Sequence, residues 1–312
     1  MKLMKWMLVI LALFFTCMPQ LGRRDLSAKA SVVKKEGKIG LGPYWFEGKA
    51  EINHYTLSQN RYRDLHPGEA VLVFVTEPFL TDKQVKNDQG QKKNSATVLK
   101  LNNIQRFATG IYDYSVMTSV FTPEELKRFP HSLKVTSSSQ DWCGQTFMQI
   151  NQDKENYKVE MRSYFENEGD QNQSLPQALL EDEVWTRLRM GPDALPLGAV
   201  QVYPSAMYTR LMHKPFKAYT AEAKLEKYEG NEIKGNNLKV YQLNFPELER
   251  KLEIVFQDKE PYLIEGWMDS HPALLDKQMR QTIAKRTHTL LEAYWQKNNL
   301  KDLPLRKDLG MD

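Results

Sequence analysis

The sequence predicts a mainly β protein: a curved antiparallel sheet or open barrel, in one or two β halves, with an amphipathic C-terminal helix. Three observations carry this. From Tyr44 to Asp269, apolar and polar residues alternate in segment after segment, the period of strands with one buried face. Turn-forming clusters such as Gly235-Asn236-Asn237 and Asp258-Lys259-Glu260-Pro261 separate those segments. A helical apolar stripe recurs in only two places, Ser174–Met190 and Pro272–Gln296. Strand should therefore exceed helix by about twofold or more.

The chain opens with Lys2 and Lys5, an unbroken apolar run from Trp6 to Phe15, and then Thr16-Cys17. A basic head, a short apolar core and a terminal cysteine are the parts of a lipoprotein export signal. The run is shorter than the roughly 20 apolar residues a spanning helix needs. Residues 1–16 read as a signal peptide, and Cys17 as the first mature residue, carrying lipid on its sulfur. Ala28-Lys29-Ala30 offers an alternative cleavage after Ala30, although it lies far beyond the apolar core; an uncleaved anchor is the third reading. Residues 17–43 form a basic tether, in which Arg23, Arg24, Lys29, Lys34, Lys35 and Lys38 face only Asp25 and Glu36. Beside lipid headgroups each such residue contributes on the order of 1 kcal/mol; a solvated tether explains them equally well.

The first strands then follow in order. Glu69 to Glu77, EAVLVFVTE, is continuous and β-branched, as a central strand should be. Ala96 to Leu101 alternates, and Phe107 to Phe121 is a long strand with a bend or bulge at Gly110. Leu133–Ser139, Trp142–Asn151 and Tyr157–Phe165 complete an N-terminal half over residues 44–165. Residues 166–176, which include the polar run ENEGDQNQS, read as an exposed loop and as the boundary between halves.

The second half, residues 177–312, begins with a helix capped by Ser174 and Gln177, with Leu180, Val184 and Leu188 on one stripe. Four strands follow as an antiparallel meander: Tyr219–Tyr228, Leu238–Phe245, Lys251–Gln257 and Tyr262–Met268. Leu275, Met279, Ile283, Leu290 and Tyr294 then make the stripe of the closing helix. The tail after Asn298 should pack only loosely.

Composition limits function. The chain has 312 residues, 41% hydrophobic and 26% charged, and a net charge of +4. That excess is too mild to argue for nucleic acid. Of two cysteines, lipidation of Cys17 would leave Cys143 without a disulfide partner. Six histidines show no metal-ligand spacing, and there is no HExxH, P-loop, GxSxG or CxxC. No cofactor or metal is implied.

Two regions hold the candidate residues. Cys143 lies in Gln140-Asp141-Trp142-Cys143-Gly144-Gln145, read as part of a strand. No base stands near it in sequence, which favours a packed, unreactive thiol over a nucleophile. Around Glu69–Glu77, loops at opposite ends of one strand gather Arg61, Tyr62 and His66 at one end and Glu77 and Lys83 at the other. Loops on a rigid sheet are where ligand sites usually lie; a charged, solvated rim is the plainer reading. Arg61, Tyr62, Glu77, Lys83 and Trp142 are the candidate ligand contacts, and Cys143 with His66 the candidate catalytic pair.

Several strings resemble a family of predicted lipoproteins of the Bacteroidota that has no known activity: EAVLVFVTE (69–77), KQVK (83–86), VLKLN (98–102), TGIY (109–112) and SSQDWCGQ (138–145). The resemblance spans roughly residues 44–268 and implies a lipid-anchored envelope protein, with no functional residue to carry over. Some similar sequences bear the label of a Maf-type septum-formation inhibitor. Maf proteins are α/β nucleotide pyrophosphatases with a Ser-Pro-Arg-Arg motif near the start. This chain lacks that motif and reads as β, so the label is rejected. The leading expectation is a non-enzymatic binding or structural module, anchored to a membrane through lipid and facing the periplasm or the cell surface. Its partner would be an apolar ligand or another envelope protein. The alternative is an envelope hydrolase or transferase using Cys143 with a distant histidine.

Overall fold

The computed structural model describes residues 39–311; the expected signal peptide, Cys17 and nearly all of the expected tether lie outside them. The described chain is mainly β, 53% strand and 14% helical, in one large mixed sheet not closed into a barrel. Its strands are β1 (Ala50–Arg61), β2 (Asp64–Leu80), β3 (Val85–Lys86), β4 (Ser95–Thr109), β5 (Tyr112–Pro123), β6 (Lys134–Asp141), β7 (Gly144–Asp153) and β8 (Asn156–Ser163). Then come β9 (Gln171–Pro176), β10 (Leu179–Leu180), β11 (Gly198–Tyr203), β12 (Tyr219–Lys227), β13 (Leu238–Phe245), β14 (Arg250–Gln257), β15 (Ile264–Pro272) and β16 (Met279–Glu292). The order across the sheet is β10-β11-β12-β13-β14-β15-β16-β1-β2-β4-β5-β6-β7-β8-β9, with β3 paired to β2. Every pairing is antiparallel except β10 with β11. The first and last strands of the chain meet where β1 pairs with β16, so N- and C-terminal strands share one sheet.

The sheet curls until its two edges are neighbours in the chain. Only Gln177 and Ala178 separate β9 from β10. Side chains rather than a backbone ladder hold this seam. Tyr203 donates to the Pro176 carbonyl at 2.9 Å, and Tyr157 to the Ala178 carbonyl at 3.0 Å.

From β10 the chain turns into the hollow of the curve as α1 (Glu181–Met190), of which all ten residues are buried. Val184, Trp185 and Leu188 join Tyr55, Leu72, Phe74, Leu99 and Trp267 in the main core. A second helix, α2 (Ala206–Met212), packs beside it against β5 and β6. The Ser205 hydroxyl caps α2 by accepting from the Tyr208 N–H at 3.0 Å.

The continuous apolar run on β2 has a physical reason. Ala70, Leu72 and Phe74 face the main core. Val71, Val73 and Val75 face outward, where Leu309 and Met311 of the C-terminal tail cover them. That tail ends in α3 (Pro304–Asp308), the short C-terminal helix. Leu309 is buried, so the tail is better packed than its composition suggests.

Several elements differ from the sequence reading. The expected helix over Pro272–Gln296 is strand β16. Its stripe residues serve other contacts: Leu290 lies under the tail, Ile283 packs against another outer cluster, and Leu275 and Met279 are exposed. Open edges of β15 and β1 on either side, and β-branched Thr282, Ile283, Thr287 and Thr289, outweigh the stripe. The capping box at Ser174 and Gln177 does not form. Ser174 lies in β9, which occupies part of the expected loop, and α1 starts at Glu181 with no side-chain cap. The long strand from Phe107 is a hairpin, with Gly110 at φ 66° in its two-residue turn. Cys143 is not in a strand: Trp142-Cys143 form the two-residue turn between β6 and β7, and the thiol is exposed.

Candidate functional site

The hollow of the sheet contains an unusual amount of charge, and most of it is paired. Glu51 takes the Arg189 guanidinium in two bonds of 2.5 and 2.6 Å, and Tyr44 donates to it at 2.5 Å. Burial alone would raise the Glu51 carboxyl, but Arg189 and these donors hold it below the usual range. Arg250, fully buried, is clamped between Glu181 and Asp269 by four bonds of 2.6–2.8 Å and stacks on Tyr208. Glu183 accepts from His131 at 2.8 Å and from the Ser132 N–H at 2.5 Å, and pairs with Arg187 at 3.2 Å. Among the described residues no cation pairs directly with Asp182. Its carboxylate accepts only the Ala206 N–H, at 3.0 Å, and burial pushes its pKa up to about 7.

The other pattern lies at one end of the hollow. Alternating hairpins bring the β1–β2, β4–β5 and β6–β7 turns, the segment after β8, α2 and the β15–β16 turn together there. Tyr112, beside the β4–β5 turn, donates to the Tyr62 hydroxyl at 2.8 Å, and Leu275 donates its N–H to the Tyr62 carbonyl at 3.2 Å. Gly144 lies so near Tyr164 that a Cβ would sit 2.8 Å from its ring, so only glycine fits. Exposed apolar side chains crown the turns: Ile111 is 86% and Trp142 71% exposed.

Between α2 and the walls of β6, β7 and β8 lies a pocket with a cavity of about 30 Å³. About 10–15 Å³ is enough for one water, so it has room for a small polar group. Its wall is graded along the strands. Val135 and Ile150 face the core, Ser137 and Met148 lie nearer the rim, and Ser139 and Thr146 stand at the rim. Met161, Phe147, Arg162 and Ser163 form the adjoining side, and Thr209, Arg210 and Lys214 come from α2 and the residues just after it.

Arg210 is the centre. Its guanidinium pairs with Asp141 at 3.1 Å, donates to the Thr146 hydroxyl at 3.1 Å, and lies 4.3 Å over the Phe165 ring. Among the described residues its Nη1 has no partner, nor do the Ser139 and Thr209 hydroxyls, although these residues are only 8%, 2% and 3% exposed. Arg61 lies close by, its guanidinium on the Leu211 carbonyl, on Tyr114 at 3.0 Å and on Tyr62 at 3.4 Å. It is buried and has no carboxylate partner among the described residues, and its Nε is unpartnered. Burial, and next the charge of Arg61, push the Arg210 pKa down. At the mouth, Glu168 accepts from His213 at 2.6 Å and from Ser163 at 2.5 Å. Lys214 has no ion-pair partner among the described residues.

Of the residues singled out by sequence, Arg61, Tyr62, Trp142 and Cys143 meet at this end. His66 is on β2 at the same end, on the Arg61 carbonyl at 3.1 Å. Glu77 and Lys83 lie toward the far end of β2; Glu77 pairs with Lys100 at 3.5 Å. No described histidine hydrogen-bonds to Cys143. His54, His66, His131, His213 and His271 have other partners, and His288 faces His54. The side chain of Asp141 accepts the Cys143 N–H at 2.7 Å. Sequence reasoning missed Ser137, Ser139, Thr146, Thr209 and Arg210. The available signal was the hydroxyl-rich alternation of residues 135–139, a strand whose inward face turns from apolar to polar toward its end.

Two further small cavities are one of about 30 Å³ beside the start of α1 and one of about 20 Å³ beside α2. The unpartnered side-chain oxygens of Gln59, Asn60 and Gln105 belong to residues lining the smaller one. Among the described residues no group of three or more His, Cys, Asp or Glu could hold a metal, and no helix is long and apolar enough to cross a membrane. No protein-family model matches the chain, and no curated protein matches it.

Proposed function

We propose that this protein is a lipid-anchored, non-enzymatic binding module of the cell envelope, and that its ligand seats in the pocket around Arg210. The anchor rests on the sequence: Lys2 and Lys5, the apolar run 6–15, and Cys17 at its end. The observation that carries the binding reading is the set of buried polar groups lining that pocket that are unpartnered among the described residues: Arg210 Nη1, Ser139 Oγ and Thr209 Oγ1. A buried polar group left without a partner costs about 1–3 kcal/mol, and a ligand that supplies the missing bonds recovers part of that cost. The hollow deeper in the sheet is filled by α1, and this pocket opens at its end, where a ligand can enter. Among the described residues no histidine hydrogen-bonds to Cys143, so no observation favours the hydrolase alternative over the binding reading.

The test is native mass spectrometry of full-length protein extracted from membranes in mild detergent, with a Met161→Trp variant to fill the pocket. The reading expects a co-purified mass on the wild type that is missing from the variant, with circular dichroism and Tm showing both folded. A ligand retained at full occupancy in Met161→Trp would place binding elsewhere. For the anchor, Cys17→Ser should abolish lipid attachment and shift the protein to the soluble fraction. An unmodified Ser31 as the first residue of the wild type would refute it.

A further inference from the structure

We infer that the Arg210 pocket recognises an oxyanion, a carboxylate or phosphate group carried on a short apolar body. This rests on the reading of the pocket as the ligand site and adds the chemical class of the ligand.

The first argument is charge. Among the described residues, the pocket lining carries Arg210 and Lys214, besides Arg162 whose guanidinium is taken up by Glu160 and Asn172, against one lining carboxylate, Glu168, which is already engaged by His213 and Ser163. Behind the wall stands Arg61, a second buried guanidinium, while Asp141 is the one carboxylate paired with Arg210. Two buried guanidiniums near each other repel. Removing ions from water is unfavourable unless opposite charge is supplied at good geometry. The Leu211 carbonyl and the two tyrosine hydroxyls give Arg61 hydrogen bonds but no formal negative charge. An anion at Arg210 would supply it.

The second argument is the kind of hydrogen-bonding capacity left unused. A guanidinium Nη1 can only donate, and the Ser139 and Thr209 hydroxyls can each donate one proton. Three donors lining one pocket, from β6 and from α2, match an acceptor-only group with several lone pairs. A planar guanidinium is also the side chain best suited to carboxylate and phosphate. Beside these donors, the inward side chains of Met148 and Met161 offer an apolar surface. Apolar walls with a few convergent polar groups are the usual make-up of a small-molecule site. The cavity, about 30 Å³, suits a head group of a few atoms, with the rest of the ligand toward the mouth.

The experiment uses full-length protein in detergent, stripped of ligand by extensive washing. Thermal unfolding and calorimetric titration are run with inorganic phosphate, acetate and hexanoate, each against chloride at equal ionic strength. Phosphate or a carboxylate should raise Tm saturably. Hexanoate binding at least about threefold tighter than acetate would place the ligand's body on Met148 and Met161. Ser139→Ala removes an unpartnered hydroxyl and should keep the fold while weakening the anion about three- to tenfold. Arg210→Gln should abolish binding, and Ser139→Ala keeps the proposal testable if Arg210→Gln does not fold. Equal response to chloride and oxyanions, or binding untouched by Ser139→Ala, overturns the anion assignment. If oxyanions fail while a neutral or cationic mass co-purifies and is lost in Met161→Trp, the class is wrong and the pocket stands. If neither is seen, both fall.

Discussion

The two helices in the hollow of the sheet treat buried charge in opposite ways. On α1, Glu181, Glu183, Arg187 and Arg189 each meet an opposite charge, and Asp182 meets a backbone N–H. On α2, Arg210 shares its surroundings with a like charge, Arg61, and it and Thr209 keep unused donors. The surroundings are otherwise alike: buried, aromatic-lined and close to strand walls. A paired network fixes one arrangement of helix and sheet. An incomplete one adds little to that, and its groups remain free to engage something else. The difference separates the part of the interior that holds the fold from the part available for recognition.

Breaking α1's network should have the largest effect. Arg250→Met would strand two carboxylates, Glu181 and Asp269, and should lower stability by about 3–5 kcal/mol in urea unfolding. A cost below about 1 kcal/mol would mean the clamp does not hold α1 in place. Asp182 gives the next effect, with a defined pH dependence. Its folded pKa, about 7, lies above the ordinary 3.8, so the folded state keeps a proton that the unfolded chain releases. Stability from this group is intact below about pH 4 and is lost as pH rises toward 7. Roughly three pKa units correspond to up to about 4 kcal/mol. Asp182→Asn should therefore stabilise the protein at pH 8, by up to that amount, and change little at pH 4. Equal effects at both pH values would contradict the raised pKa.

Arg210→Gln should cost less than Arg250→Met, about 1–2 kcal/mol, because relief of repulsion from Arg61 offsets the lost Asp141 pair. If it costs as much as Arg250→Met, the contrast between the helices disappears. The smallest effect belongs to the rim. Cys143→Ala should change stability by no more than about 0.5 kcal/mol, since the thiol is exposed on a turn. Iodoacetamide should label Cys143 in the native protein about as fast as in the unfolded chain; strong native protection would contradict its exposure.

The fold class was legible because it depends on period and turn chemistry. The meander from Tyr219 to Met268 and the doubly buried strand at Glu69–Glu77 stand close to where alternation and apolar continuity put them. The errors share one cause: a local pattern was outweighed by what the neighbouring strands required. Residues 279–292 carry a helical stripe, yet two open strand edges claim them. Cys143 fits an alternating run, yet Asp141 and Gly144 pair across it and leave it in a turn. Arg61, Tyr62, Trp142 and Cys143 were singled out and do come together. Arg210 stands near none of them in sequence and has no motif. Its role depends on α2 entering the hollow, which no spacing along the chain encodes.

The pairing of β1 with β16 bears on how the molecule is made. Thr289 donates to the Asn53 side chain across a separation of 236 residues. A nascent chain that emerges N-terminus first can zip β1 to β2 and carry on through β9 by local hairpins. The other edge of β1 has no partner until β16 is out. For that interval a row of backbone donors and acceptors, next to the apolar outer residues Ile52, Val71 and Val73, stays open to other chains. Closing a loop of this length makes folding slow and raises the contact order. A holding chaperone would be needed most at that one edge, and a truncation before Met279 would leave it permanently unpaired.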